Sequence, residues 1–101
     1  MMILVVQILI WLSFLFSSTT DNCKGEMVDG ARHGHWQCFY GNGKIQEEGD
    51  YQSGQKVGHW KFYHENGNIA LEGDYKDGHE SGAWKMYDEA GNQLDTIDYG
   101  R

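Results

Sequence analysis

The chain carries three copies of one pattern, repeated every 24 residues. Each copy places a glycine eleven residues before a tryptophan, and a second glycine seven residues after it. The first glycines are Gly25, Gly49 and Gly73, and the tryptophans are Trp36, Trp60 and Trp84. We divide the array into repeats 25–48, 49–72 and 73–96, with a partial copy at 97–101. A period of this length predicts similar small units that are stabilised by stacking on their neighbours.

Each copy is predicted to form a β-hairpin. In the second copy, His59 to His64 is rich in aromatic residues, and alternation puts Trp60, Phe62 and His64 on one face of a strand. Asn66-Gly67 follows, and this pair favours a type I′ turn, in which both residues have positive φ. Ile69 to Tyr75 is then the returning strand, and Lys76 to Gly82 the connection to the next unit.

The whole array is therefore predicted to be all-β, a single-layer antiparallel meander of repeated hairpins. We expect about six strands and a short seventh at Ile97 to Tyr99. The chain has 14 glycines, and each would cost about 1 kcal/mol inside a helix. It has no proline, which suits strands that must donate every backbone N–H to a ladder.

The first 20 residues differ sharply from the rest. Ile3 to Phe16 is apolar except for Gln7 and Ser13, and all 15 acidic and 8 basic residues of the chain come later. The run is shorter than the ~20 residues of a membrane span but suits a secretory signal, with small residues for cleavage at 17–20. Residues 1–20 are thus predicted to be a signal peptide, and an uncleaved membrane anchor or a misassigned start are the alternatives.

Residues 21–101 then form one small domain with a net charge of −7. Such an acidic domain lacks the basic surface that nucleic acids and anionic lipids require. We therefore expect no nucleic-acid partner, and membrane contact only if the N-terminal segment is retained. The predicted location is exported: secreted, periplasmic or envelope-associated.

Cys23 and Cys38 allow one disulfide, which an oxidising compartment would permit. The alternative is that Cys38 is a small buried apolar residue, because the equivalent positions hold Phe62 and Met86. The sequence leaves both interpretations open.

Aromatic residues recur on both faces of the predicted sheet. The three tryptophans should form a row on one face, while Phe39, Tyr63 and Tyr87, three residues further on, should point to the other. These six residues are either packing units of the repeat or a surface for a protein or glycan partner.

Histidines and carboxylates were considered as metal ligands and as catalytic groups. His33 and His35 would share one strand face, as two metal ligands could. A metal site would need further ligands, and His59, which matches His35 in the repeat, is expected ~10 Å away, too far to bind the same ion. Asp50 with Asp74, and Glu48 with Glu72, recur by the repeat alone, and a single open sheet offers no cleft for acid–base catalysis. No cofactor, metal or enzymatic activity is predicted.

The spacing of these residues resembles a known family. Gly58-His59-Trp60-Lys61-Phe62-Tyr63, followed by Glu65-Asn66-Gly67, is similar to the variant MORN repeat found in the antitoxin-like YwqK family. The resemblance extends over residues 25–99 and implies an elongated sheet of hairpins that contacts proteins, or in some cases lipids or further copies.

Two classes of function follow from the resemblance and the composition. The first is a protein-binding module, with an antitoxin-like or immunity-like role and a toxin as its candidate partner. The second is a structural scaffold at the envelope or exported surface that self-associates through open strand edges. Glycan binding through the aromatic row is a third hypothesis.

Overall fold

A computed structural model describes residues 22–100, which form one antiparallel sheet of seven strands and no helix. The strands are β1 (Cys23–Val28), β2 (Ala31–Phe39), β3 (Ile45–Gln52), β4 (Gln55–Tyr63), β5 (Ile69–Lys76), β6 (His79–Tyr87) and β7 (Gln93–Asp98). They lie side by side in sequence order, so every connection is a hairpin. The predicted all-β meander is confirmed. The predicted signal segment at residues 1–20 lies outside the described residues.

The strand count of seven agrees with the prediction, but two strand positions do not. Cys23–Val28 is a full edge strand paired with β2, whereas no strand was predicted before the first tryptophan. Ile97 to Tyr99 is not a separate strand, because β7 begins at Gln93 and pairs with β6 along its length.

The predicted type I′ turn at Asn66-Gly67 is wrong. Only Gly67 of this pair has positive φ, and the loop runs over five residues between β4 and β5. The two-residue turns with positive φ at both positions are instead the links between repeats: Asp29-Gly30, Ser53-Gly54 and Asp77-Gly78. The connection predicted at Lys76 to Gly82 thus shrinks to two residues, because β5 and β6 continue up to the turn.

A bulge in each tryptophan-bearing strand explains the Gly-x-Trp spacing. Gly58 has φ of 73° inside β4, a conformation that favours glycine. Between the paired positions Glu48–Lys61 and Asp50–Val57, the three residues from Gly58 to Trp60 lie opposite the single residue Gly49. The same shift occurs at Gly34 in β2 and at Gly82 in β6.

The core is the row of tryptophans that these bulges direct onto the preceding strand. Trp60 is 1% exposed, and a Cβ built on Gly49 would lie 2.1 Å from its ring. The Trp60 Nε1–H donates to the backbone oxygen of Asp50 at 3.1 Å. Trp36 on Gly25 and Trp84 on Gly73 repeat this arrangement, so each tryptophan packs flat on the backbone of its neighbour.

Two faces of the sheet result, and we name them by their composition. The apolar face holds the tryptophans together with Tyr51, Phe62, Tyr75 and Tyr99, whose rings contact them. The polar face holds the residues that alternate with these, among them His35, Glu48, His59 and Glu72. Within residues 22–100 there is no helix that is long and apolar enough to cross a membrane.

The two edge strands of the array differ in how they are held. At β1, Cys23 and Cys38 pair across the strands and are joined by a disulfide, and Cys38 is also buried. At β7 every residue is exposed.

The side chains of the long loops connect neighbouring repeats, since Asn42 donates to the Glu65 backbone oxygen at 3.1 Å and Asn66 to that of Glu89 at 2.8 Å.

Candidate binding surfaces

The three tryptophans that were considered as contact residues are too buried to serve as such. Trp36, Trp60 and Trp84 are 7%, 1% and 2% exposed. Each indole is held by the glycine below it and by its N–H bond to the backbone. They are packing units, and this interpretation replaces the one in which they form an exposed stripe.

The outer layer of the apolar face consists of rings that stand on edge between the tryptophans. Tyr51 lies edge-on between Trp36 and Trp60, with ring centroids 6.2 and 5.2 Å apart. Tyr75 bridges Trp60 and Trp84 in the same way. Both tyrosines are half-buried, and burial raises the pKa of Tyr75. Edge-to-face contacts of this kind add about 0.5–1.5 kcal/mol each beyond the area they bury.

Two cations cover part of these rings. The Arg32 guanidinium lies 4.4 Å from the Trp36 ring centroid, and the Lys56 ammonium lies 4.7 Å from that of Trp60. Lys56 is also 3.7 Å from Glu47. In both residues the charged group itself lies over the ring, which is a cation–π arrangement. The third repeat has Glu80 at this position.

No second layer covers the apolar face within residues 22–100, since all seven strands belong to one sheet. Phe62, Leu71 and Met86 are half-buried there, while Met27, Ile97 and Tyr99 are exposed. An apolar surface of this kind is typical of interaction sites.

The polar face carries two histidines, each held between two carboxylates. His59 Nε2 lies 2.9 Å from Glu72 Oε1, and its Nδ1 lies 3.0 Å from Asp74 Oδ1. The bond to Glu72 is the main cause that raises the pKa of His59, and the same bond lowers the pKa of Glu72. His35 lies 3.1 Å from Asp50 and 3.4 Å from Glu48. We call these two groups the histidine clamps.

Sequence reasoning missed the clamps, although the signal was present. Asp50 with Asp74 and Glu48 with Glu72 were noted as repeats, and His59 was matched to His35, but the three positions were not joined. Strand pairing joins them, because His59 faces Asp74 directly across β4 and β5, next to Glu72 on the same face.

The second aromatic set lies on the polar face, as predicted. The Tyr63 hydroxyl donates to Glu48 at 2.5 Å, and the Tyr87 hydroxyl donates to Glu72 at 2.9 Å. Burial and this bond raise the pKa of Tyr63, while the bond is the main cause that lowers the pKa of Glu48. Phe39 has no hydroxyl, and Lys24 lies 5.7 Å from its ring. These side chains are half-buried and engaged within the sheet.

The His33–His35 pair is not brought together as a metal site. His35 is bound by the carboxylates of its clamp. His33 lies opposite Glu26 in the register of β1 and β2, beside Val28, Asp29 and Ser53. Within residues 22–100, no group of three or more His, Cys, Asp and Glu side chains is arranged to hold a metal ion. The depression between the two clamps is floored by Gly49 and has a volume of about 310 Å³.

Comparison with known families now adds to this geometry. Residues 32–53 and 56–77 match the family model described as MORN repeat variant. Each of these two segments is therefore similar to a MORN repeat. They coincide with the hairpins β2–β3 and β4–β5. The hairpin β6–β7 lies outside the match, and Gln93, Thr96 and Ile97 depart there from the first two repeats.

No curated protein and no solved structure matches the chain significantly. MORN repeat domains often bind proteins or membranes and are generally non-enzymatic.

Proposed function

We propose that this chain is a non-enzymatic module that binds a protein partner through its apolar face. The observation that carries the proposal is a single-layer sheet whose aromatic face has no covering layer within the described residues. Association would remove half-buried rings from water, which contributes about 25 cal/mol for each Å² of apolar area before the entropic costs of association are subtracted.

Glycans and anionic membranes have less support as partners. Glycan binding needs ring faces open to a sugar, whereas the tryptophan faces lie on the backbone of the preceding strand. Anionic membranes attract basic surfaces, and this chain has a net charge of −7. A protein partner requires neither feature.

The identity of the partner and the location of the chain are part of the proposal. The disulfide between Cys23 and Cys38 supports an oxidising compartment, in agreement with the predicted export. A toxin bound by an exported immunity protein is one such partner. A scaffold role at the envelope would use the same face.

The test compares two variants that each add one lysine, on opposite faces. Leu71→Lys alters the apolar face, where Leu71 lies across from Phe62, and Ala83→Lys alters an exposed position on the polar face. The full chain is immobilised, exposed to an extract of its source cells, and the retained proteins are quantified by mass spectrometry. We expect Leu71→Lys to reduce specific retention roughly tenfold and Ala83→Lys to leave it within about twofold.

Circular dichroism and the melting temperature of both variants must match the wild type for the comparison to hold. Loss of retention with Ala83→Lys alone would assign binding to the polar face and contradict the proposal.

A further inference from the structure

Three five-residue loops stand at one end of the sheet: 40–44, 64–68 and 88–92. In the first two, the residue that opens the loop donates to a backbone oxygen at the end of the next tryptophan-bearing strand. The Tyr40 hydroxyl donates to the backbone oxygen of Tyr63 at 2.5 Å, and His64 Nε2 donates to that of Tyr87 at 2.9 Å. Each of these loops therefore acts as a donor to the repeat that follows it.

Two further side chains of each donating loop add to this contact. The third residue, an asparagine in both loops, donates to the backbone oxygens of Glu65 and Glu89. The fifth residue does the same, since Lys44 Nζ donates to the Asn66 backbone oxygen at 3.2 Å and the Asn68 amide to that of Glu89 at 2.8 Å. The accepting loop thus offers only backbone oxygens, and the donating loop offers polar groups at its first, third and fifth positions.

The first loop has the same acceptors but no loop before it within residues 22–100. The backbone oxygens that correspond to those of Tyr63 and Glu65 belong to Phe39 and Gly41, and no side chain of the described residues donates to them. Phe39, Gly41 and the start of β1 line a pocket of about 500 Å³ here. We call it the loop pocket. A carbonyl oxygen has two lone pairs, so it can accept a further donor even where the ladder uses one.

We propose that the loop pocket binds a polar loop of a protein partner, in the way that the later loops of this chain bind their neighbours. The recognised segment carries a tyrosine or histidine, an asparagine two residues later, and a lysine or asparagine two residues after that. Tyr40, Asn42 and Lys44 show this spacing within the chain. The site is separate from the apolar face, so the inference goes beyond the proposed function and does not depend on it.

A second copy of this chain is a poor occupant, because its last loop lacks the donors. Asp88 and Ala90 stand at the positions of His64 and Asn66. The Asp88 carboxylate accepts the backbone N–H groups of Ala90 and Asn92 at 3.0 and 2.8 Å within its own loop. In the loop pocket it would place an acceptor against a backbone oxygen. The first two loops already use their donors inside the chain.

The chain's own residues at the preceding repeat position are a poor match as well. Phe16 and Ser18 stand 24 residues before Tyr40 and Asn42. A phenylalanine ring has no hydroxyl to donate, and a serine hydroxyl is shorter than an asparagine amide. The donor pattern therefore points to a segment of another protein.

The experiment is an NMR titration of the full chain, with its N-terminal processing defined by mass spectrometry. The probe is a cyclic peptide that carries Tyr-Gly-Asn-Gly-Lys, the sequence of residues 40–44. We expect saturable shifts of the backbone amide signals of Lys24, Phe39 and Gly41, and none at Glu65 or Glu89, whose oxygens already have donors. Two further peptides replace the tyrosine by phenylalanine or the asparagine by alanine. Each should bind about fivefold more weakly, because each lacks one hydrogen bond.

Two variants of the chain form a matched pair. Gly41→Trp adds an indole at the wall of the loop pocket and should abolish peptide binding. We expect it to fold, since nothing lies within 4 Å of the Gly41 Cβ position and its φ is not positive. Glu65→Trp makes the same change at the equivalent exposed position of the next loop and should leave the affinity within about twofold. The peptide series tests the inference even if Gly41→Trp fails to fold.

A flat titration, or equal affinity of the three peptides, would overturn the inference. Nuclear Overhauser contacts between residues 16–20 and Gly41 would also overturn it, because the loop pocket would then belong to the chain's own N-terminal residues. Self-association that Gly41→Trp abolishes would assign the pocket to a second copy and overturn it too. Each of these results leaves the proposed role of the apolar face standing.

Discussion

At the residue scale, the unit of this protein is a tryptophan that packs on a glycine of the preceding strand. The repeat spacing was enough to predict that the tryptophans share a face. It was not enough to predict their burial, because the bulge at Gly58 sets where Trp60 points and only a positive φ reveals it. The recurring glycine at 25, 49 and 73 was the available signal.

This packing makes Gly49 far more sensitive to substitution than a glycine with open space at its Cβ position. We expect Gly49→Ala to lower the free energy of unfolding by about 2–3 kcal/mol, since the new Cβ would lie 2.1 Å from a ring that is 1% exposed. Gly41→Ala is the control, as nothing lies within 4 Å of its Cβ position and its φ is not positive. Urea denaturation of both variants measures the difference, and equal stabilities would contradict the packing account.

The histidine clamp predicts a specific pH dependence. Because the folded-state pKa of His59 is raised above 6.5, its contribution to stability is fully present below that value and is lost as pH rises through the folded pKa. Glu72 sets the acidic limit. Its pKa is lowered in the folded state, so its contribution to stability is lost as pH falls through that lowered pKa. The clamp therefore stabilises most in the window between these two transitions.

An NMR titration of the histidine ring protons tests this expectation. Glu72→Gln should lower the pKa of His59, because it removes the largest cause of the shift. Glu65→Gln, in a loop away from the clamp, should not. A His59 that titrates at the same pH in both variants would show that the clamp is not formed in solution.

At the element scale, the hairpins were predictable but the turns between them were not. Each repeat contains two glycine-bearing connections, and the Asn-Gly rule selected the wrong one. The Asn66 side chain is instead used inside its loop, where it accepts the Asn68 N–H at 2.9 Å and donates to the next loop. The strand register determines which connection is the tight turn. Because β3 and β4 stay paired up to Gln52 and Gln55, only Ser53 and Gly54 are left for it.

The corrected turn assignment can be tested at Ser53, which has φ of 52°. Asparagine tolerates this conformation better than serine does, so we expect Ser53→Asn to maintain or slightly raise the melting temperature. Ser53→Val places a β-branched residue there and should cost about 1–2 kcal/mol. If both variants melt alike in a thermal denaturation followed by circular dichroism, the turn is not of this type.

The disulfide belongs to the same scale, because it fastens the edge strand β1. The cysteines are 15 residues apart, and losing a cross-link of this span costs about 3 kcal/mol. Reduction should therefore loosen β1 and expose Trp36, whose ring and N–H both rest on that strand. Hydrogen exchange with and without a dithiol reductant should show faster exchange in β1 and little change in β4. Uniform loss of protection would contradict a local role.

At the scale of the whole molecule, strand order and face composition follow from the repeat, and the proposed binding role rests on the apolar face, which has no covering layer within residues 22–100. Two residues on the apolar face depart from the repeat: Glu80 replaces a basic residue and Ile97 replaces a glycine. Neither departure could be interpreted before the pairing register placed these residues on that face. The proposed binding surface therefore emerged from three-dimensional placement, not from a motif.

The central claim is that the apolar face is the contact surface and the polar face is not. Hydroxyl-radical footprinting, performed in intact source cells and on the dilute purified chain, tests it directly. We expect Tyr51 and Tyr75 to be protected in cells, while Tyr63 and Tyr87, half-buried on the polar face, are oxidised equally in both settings. Protection of Tyr63 and Tyr87, with Tyr51 and Tyr75 unchanged, would contradict the account.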